Sequence, residues 1–326
     1  MSLSTQTTHF EFDKATITKY LGQSSTGSTI YIGQASKNWS IGNVPNGGYV
    51  VSLILDSVIQ HYQPRHQKHP IALNCFFFNK TIPGSFVVEI EELKSSGKGY
   101  CICRASLKQT KNTKVPSPTS IKEYEAEEYT TKVHGIFTMG NMEFEKGRTF
   151  YHKNPKAPSK ENMVPFQYQY MGDYVNAKMD LSTFPTSEKT GETLYQRPFQ
   201  PEEGDTIVPG KPELSQALTF SDGRSVDYKS LALFADFMIT PPFLLGSTYW
   251  NGPIWCPTMQ LELQFKRPLS SSSNLKEVLV HFCAPHIINS RFDLDGEIYD
   301  TDGNVLAITK HQCLVVDWTR NISTKL

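Results

Sequence analysis

Two stretches of this chain are apolar nearly all round, and each is followed by a train of strand-like segments. Tyr49-Val-Val-Ser-Leu-Ile-Leu-Asp-Ser-Val-Ile59 follows the turn-rich run Gly42-Asn-Val-Pro-Asn-Gly-Gly48 and is stopped by Pro64. Asp227-Tyr-Lys-Ser-Leu-Ala-Leu-Phe-Ala-Asp-Phe-Met238 follows the turn Ser221-Asp-Gly-Arg224, has Asp227 as its N-cap, and stops at Pro241-Pro242. A helix with no polar face cannot lie on a surface; other structure has to wrap it. The wrapping is legible after each helix. Ile71–Phe78, Ser85–Glu92, Tyr100–Leu107 and Glu128–Met139 read as strands after the first. Thr258–Phe265, Glu277–Phe282, Arg291–Tyr299 and Val305–Val316 read as strands after the second, with an Asp302-Gly303 hairpin turn before the last. Strand signals also precede each helix, in 28–40 and in Glu213–Phe220.

The two halves read as diverged copies. Leu73-Asn-Cys-Phe-Phe-Phe-Asn-Lys-Thr-Ile-Pro83 echoes Leu261-Glu-Leu-Gln-Phe-Lys-Arg-Pro268, a strand closing on a basic residue and a proline. A unit of strand, helix and antiparallel meander repeated at a lag of about 187 residues predicts two similar folds side by side, of class α+β. The expected boundaries are 8–140 for the first unit, 141–185 for a polar, Pro-rich linker, 186–320 for the second unit and 321–326 for a tail. Tyr and Met residues interspersed in the linker suggest that it packs on something.

Charge and composition narrow the function. Thirty-two Lys+Arg balance thirty-two Asp+Glu, which removes a whole-chain footprint for nucleic acid or an anionic membrane. No apolar run nears the roughly 20 residues of a membrane span, and the first ten residues lack the basic and apolar regions of a secretory signal. Six cysteines scattered in strand-like stretches fit buried thiols of an intracellular chain better than a disulfide framework. Cys101-Ile-Cys103 and His281-Phe-Cys283 have strand alternation rather than zinc spacing, so no metal and no cofactor is expected. Gly42–Gly47 lacks the Lys-Ser/Thr of a phosphate-binding loop, and no G-x-S-x-G elbow is present. Exposed sheet edges would favour self-association as a homo-oligomer.

The Pro45-Asn-Gly-Gly-Tyr49 turn feeding a hydrophobic helix resembles the first half of the thioesterase-like superfamily of double-hotdog proteins. Asp222-Gly-Arg224, Leu231–Asp236 and Phe265–Pro268 are similar to its second half, and type II acyl-CoA thioesterases are the well-known relatives. The resemblance covers most of the chain outside the linker. It implies a double hotdog, each half a helix wrapped by an antiparallel sheet, with an acyl-CoA thioester lying between the halves. It also implies a water held by a helix Asp, a strand Thr and a Gln on the last strand. These fall on Asp236, on Thr258, and on His311 with Gln312 beside it. The missing Gln at 311 is a departure: either imidazole replaces the amide or Gln312 takes the role. Neighbours on a strand face opposite sides, so only one can face the site.

The chemistry suits these residue types. Thioester hydrolysis needs a positioned water, a proton acceptor and donors for an oxyanion. A carboxylate on a buried helix is a fit base because desolvation raises its pKa. His311 could instead be the base with Asp236 orienting it. Gly47, Gly48 and Tyr49 open the first helix, where backbone N–H groups could meet an oxyanion or a CoA phosphate. The first half offers less: Asp56, which reads as a solvated helix residue, Ile71 where a Thr is wanted, and His134. Cys256, two residues from Thr258, is a less suitable nucleophile. A non-catalytic acyl-CoA or lipid-binding protein and a hydratase using Asp236 and His311 are competing readings. The terminal Thr324-Lys325-Leu326 resembles a Ser-Lys-Leu peroxisomal address, which would suit fatty acyl-CoA turnover, against a cytoplasmic chain with a chance C-terminus.

Overall fold

A computed structural model describes residues 9–111, 117–152, 155–194, 203–269 and 274–322. The Thr324-Lys325-Leu326 motif lies outside the described residues. A short helix α1 (Glu11–Thr16) and two strands, β1 (Thr18–Gln23) and β2 (Thr29–Ala35), lead into helix α2 (Gly47–Tyr62). Four strands follow: β3 (His69–Phe77), β4 (Gly84–Lys94), β5 (Cys101–Thr110) and β6 (Tyr129–Gly140). The second half holds β7 (Met163–Phe166), β8 (Val175–Asp180), β9 (Glu213–Phe220) and helix α3 (Tyr228–Phe234). It ends with β10 (Thr258–Phe265), β11 (Glu277–Cys283), β12 (Arg291–Tyr299) and β13 (Val305–Leu314).

The repeat read from the sequence is present in the strand order. Among the described residues one fourteen-stranded antiparallel sheet runs β1-β2-β4-β5-β6-β3-β10-β13-β12-β11-β9-β8-β7, with Ile287–Ile288 pairing β12 off this path. Outward from its centre, β3-β6-β5-β4-β2 has the same chain order as β10-β13-β12-β11-β9. The two strands whose sequences echo each other are thus counterparts, and they also pair with each other. Leu73 stands opposite Leu263 and Cys75 opposite Leu261, all four buried. Two sheets expected side by side are one continuous sheet joined at this seam. Burying each such leucine contributes about 1.5–3 kcal/mol relative to exposure, so the apolar seam holds the halves in register.

The stretch 141–185 is not wholly linker. Its β7 and β8 extend the sheet beyond β9, with Ala177 opposite both Leu218 and Phe166. Polar and Pro-rich surroundings hid these short edge strands from a pattern reading.

Helix α2 is enclosed as its apolar circumference requires: Tyr49 through Val58 are buried without a break. It packs across α3 at small residues. A Cβ on Gly48 would stand 2.5 Å from the Ala232 carbonyl oxygen and 2.7 Å from that of Leu233. One turn on, Ser52 Oγ lies 2.8 Å from the Lys229 carbonyl. This close approach aims the first turn of α2 at the end of α3.

Helix α3 is shorter than the apolar run suggested, ending at Phe234. The N-cap is as expected, with Asp227 and Ser230 forming a reciprocal capping box. At the other end, the Asp236 carbonyl accepts from Asn46 Nδ2 at 3.0 Å and the Phe237 carbonyl from Gln216 Nε2 at 2.6 Å. Ala235 is its C-cap, Asp236 lies in the turn beyond, and these carbonyls are satisfied from outside the helix.

Candidate functional site

Asp236 sits where the two halves meet. Its Oδ2 accepts from the Gly48 N–H at 2.9 Å and from Asn46 Nδ2 at 3.1 Å. Its Oδ1 lies 3.5 Å from Thr258 Oγ1 and 3.6 Å from His311 Nδ1. The side chain keeps 13% of its surface, on the side facing two cavities. Burial raises its pKa to about 6, against the pull of the Gly48 and Gly47 backbone N–H groups, Thr258 and Asn46. The positive end of the sixteen-residue α2 favours the same carboxylate. The balance leaves a carboxylate that is ionised at neutral pH and more basic than an ordinary aspartate, as a group that could accept a proton from water has to be.

Asn46 is the member of the site that sequence reading missed. Its Oδ1 caps α2 by accepting from the Tyr49 N–H at 2.9 Å, while its Nδ2 holds both the side chain and the backbone carbonyl of Asp236. An Asn directly before an apolar helix is a recognisable N-cap. That signal was available in Pro45-Asn-Gly-Gly-Tyr49; the link to residue 236 was not.

The remaining expected residues divide. Thr258 opens β10, lines the first cavity, and accepts from the Cys313 thiol at 3.7 Å. At 3.5 Å its hydroxyl is a long, weak donor to Asp236 Oδ1. His311 faces inward from β13 and its side chain is fully enclosed, so it lines neither of the two cavities. Its Nε2 is 2.9 Å from Thr309 Oγ1, and its Nδ1 makes no hydrogen bond. Burial pulls its pKa down to about 3, so imidazole beside Asp236 is neutral. Enclosed in this way, the ring packs against the carboxylate and presents no surface to either cavity. Gln312 projects from the other face of β13, exposed, opposite Gln260 and Asp293.

Gly47 lines the first cavity, but the Gly48 N–H is committed to Asp236. Tyr49 is buried away from both cavities, its hydroxyl donating to the Ala15 carbonyl at 2.7 Å and accepting from the Ser36 N–H at 2.9 Å. Its part is to anchor α2 to the N-terminal segment. Asp56 is no solvated helix residue. It is buried, pairs with Lys229 at 3.0 Å and accepts from the Thr18 backbone and hydroxyl, tying the halves together. His134 bonds Ser106 Oγ at 2.9 Å and stacks on Phe78, away from any such centre.

The first cavity, of about 390 Å³, lies between α2, β3 and β10. A second, of about 500 Å³, is bounded by 165–171 and by the segment after α3. They adjoin, sharing Asn46, Asp236, Met238, Thr240, Trp255 and Cys256. The aromatics of the supposed linker therefore pack as one wall of a cavity. Among the described residues no cluster of metal-ligating side chains occurs, and no helix is long and apolar enough to cross a membrane.

Known proteins match this arrangement over most of its length. Residues 35–120 match the acyl-CoA thioesterase N-terminal domain and residues 171–315 the acyl-CoA thioesterase C-terminal domain. The thioesterase-like protein TwmA of Talaromyces wortmannii is 22% identical over 322 residues, covering 89% of each chain. A hot dog fold protein of unknown function from Alicyclobacillus acidocaldarius superposes with a TM-score of 0.68 at 16% identity, over 94% of this chain and 97% of that one. The acyl-CoA thioesterase II TesB2 of Mycobacterium marinum superposes with a TM-score of 0.61 at 14% identity, over 94% and 98%. With both halves matched in order, and with the helix-wrapped sheets of a double hotdog, the chain belongs to the acyl-CoA thioesterase family.

Proposed function

We propose that this protein hydrolyses an acyl-CoA, or a related acyl thioester, with a water held between Asp236 and Thr258. Asp236 takes a proton from the water as its oxygen attacks the thioester carbonyl. The positive end of α2 and the Thr258 hydroxyl favour the negative charge that develops. Collapse breaks the C–S bond, the acid leaves, and the proton on Asp236 passes to the departing thiolate. Water supplies every added atom, and no redox partner is needed. His311 acts through Asp236, as a packed neutral wall, and Asn46 fixes the carboxylate from the other side. Gln312 is left out of the site by its exposed face.

The observation that carries this reading is a nearly enclosed carboxylate, with its pKa raised to about 6, at the junction of two cavities. The test is release of free CoA from acyl-CoAs between acetyl and palmitoyl, corrected for the protein's own thiols. Asp236→Ala should remove turnover, and Gln312→Ala should not change it. A competing reading, an acyl-CoA-binding protein without turnover, is favoured by one observation: enclosed His311 leaves the water without a third side-chain partner. Tight binding with no hydrolysis of any substrate would establish that reading instead.

A further inference from the structure

The two cavities that meet at Asp236 differ in charge. Lys80 and Arg320 line the first, with the Lys80 ammonium 5.3 Å from the centre of the Trp255 ring and donating to the Arg320 carbonyl. Among the described residues the second has no charged lining side chain except Asp236 itself. Its walls include Phe166, Tyr168, Phe237, Phe243 and Trp318. Tyr168 is fixed in this wall. Its hydroxyl donates to Gln216 Oε1 at 2.5 Å and its ring centre lies 4.6 Å from that of Phe237. Gln216 is fully buried and spends its amide on the Phe237 carbonyl, directly after Asp236.

We infer that the second cavity is the acyl site, that it takes apolar linear acyl groups, and that Tyr168 sets how long a chain it accepts. The first cavity takes the phosphorylated arm of the thioester, with its anionic groups toward Lys80 and Arg320. The assignment rests on the thioesterase reading and deepens it. An alkyl chain moving from water onto these rings gains about fourfold in affinity per methylene until it meets a wall. A charged arm in the second cavity would lose its hydration with no cation to replace it. The stretch that formed no helix or long strand in the sequence reading thus becomes the specificity wall, because its strands and the Gln216 contact place it against the turn that carries Asp236.

The test uses S-alkyl-CoA thioethers from ethyl to hexadecyl, which bind but cannot be hydrolysed, with Kd measured by calorimetry. Expected for the wild type is a fall in Kd of about fourfold per methylene, then a levelling at a definite length. Tyr168→Ala and Phe243→Ala should move that point to longer chains, while Lys80→Ala weakens all lengths by a common factor. A Kd independent of length in the wild type overturns the inference. So does an unmoved levelling point in both enlarging variants when their melting temperatures remain native-like. Because thioethers do not turn over, an intact length pattern without hydrolysis of the matching thioesters overturns only the catalytic reading.

Discussion

The Gly48 N–H donates to Asp236 Oδ2 at 2.9 Å, so a backbone group of the first half holds the carboxylate of the second. Glycine is required there by contact, since a Cβ would meet the backbone oxygens of Ala232 and Leu233 at 2.5 and 2.7 Å. Gly48→Ala must push α2 away from α3, because carbonyl oxygens cannot swing aside as a flexible side chain can. The N–H then moves off the carboxylate. A shift near 1 Å lowers kcat by about 10²-fold. Steady-state kinetics and a melting curve on the same sample should show kcat falling together with Tm.

The role proposed for Asp236 makes the rate depend on pH in one direction. The base works when ionised, so kcat/KM should rise with pH and level off above an apparent pKa near 6. Stability should run the other way. A carboxyl with its folded pKa raised above the ordinary 3.8 binds protons more readily folded than unfolded, so its contribution falls as pH rises through this window. Asp236→Asn has no such titration and should be more stable than wild type at pH 8 by about 3 kcal/mol, an order-of-magnitude figure. Urea unfolding at pH 5 and pH 8 should show that advantage shrinking at the lower pH.

Asn46 can be altered without losing its cap. Asn46→Asp still offers an oxygen to the Tyr49 N–H, but puts a second carboxylate about 3 Å from Asp236, where Nδ2 now stands 3.1 Å away. A like charge disfavours ionisation, so the acid limb of the rate profile should move upward by a unit or more. Asn46→Ala loses cap and contact together and should cost about 1 kcal/mol of stability from the cap alone. An unmoved acid limb in Asn46→Asp would show that this contact does not tune the base.

Much of this architecture was readable because the physical signal is local. An apolar run such as Tyr49–Ile59 has to be enclosed, and strands such as Thr258–Phe265 and Arg291–Tyr299 carry a period that survives in any context. What escaped was set by contact at a distance. Helix α3 stops before Asp236, and Asn46 and Gln216 satisfy the carbonyls of residues 236 and 237 in the turn beyond it. β8 is a strand because β9 offers it an edge, and β7 because β8 does, not because their own sequence demands it. The alternation rule predicted that one of His311 and Gln312 faces inward, but only the register of β13 against β10 says which.

His311 tests whether the departure from an amide matters. With no exposed side-chain surface it supports Asp236 by packing, its Nδ1 standing 3.6 Å from Oδ1, beyond hydrogen-bond reach. His311→Gln restores an amide at this position and should keep kcat/KM within about tenfold of wild type. His311→Ala opens a cavity behind the carboxylate and should lose about 10²-fold or more. If both variants lose activity equally, the ring itself is needed. If neither does, Asp236 is held well enough by Asn46 and Gly48 alone.

A second polar cluster holds the halves together away from the cavities. Arg224 is nearly fully buried and donates to Asp13 Oδ1 on α1, to Asp227 Oδ2 and to Ser230 Oγ, each at 2.6 Å, while lying over the rings of Phe12 and Phe220. Packing around Asp227 works against its charge, but the Arg224 guanidinium outweighs this and holds the carboxyl below its usual range. Arg224→Met fills similar space but takes the guanidinium from a part-exposed Asp227 and from Asp13, which keeps Lys229 Nζ at 3.8 Å, so it should destabilise by about 1–3 kcal/mol at pH 7. For a depressed carboxyl the stabilisation is present above the ordinary value near 3.8 and is lost as pH falls through the lower folded value. The gap between wild type and Arg224→Met should therefore be widest near neutrality and narrow below pH 4. Unfolding curves in urea at pH 7 and pH 3.5 measure it, and a gap that stays constant with pH would assign the effect to lost packing on Phe12 and Phe220 rather than to charge.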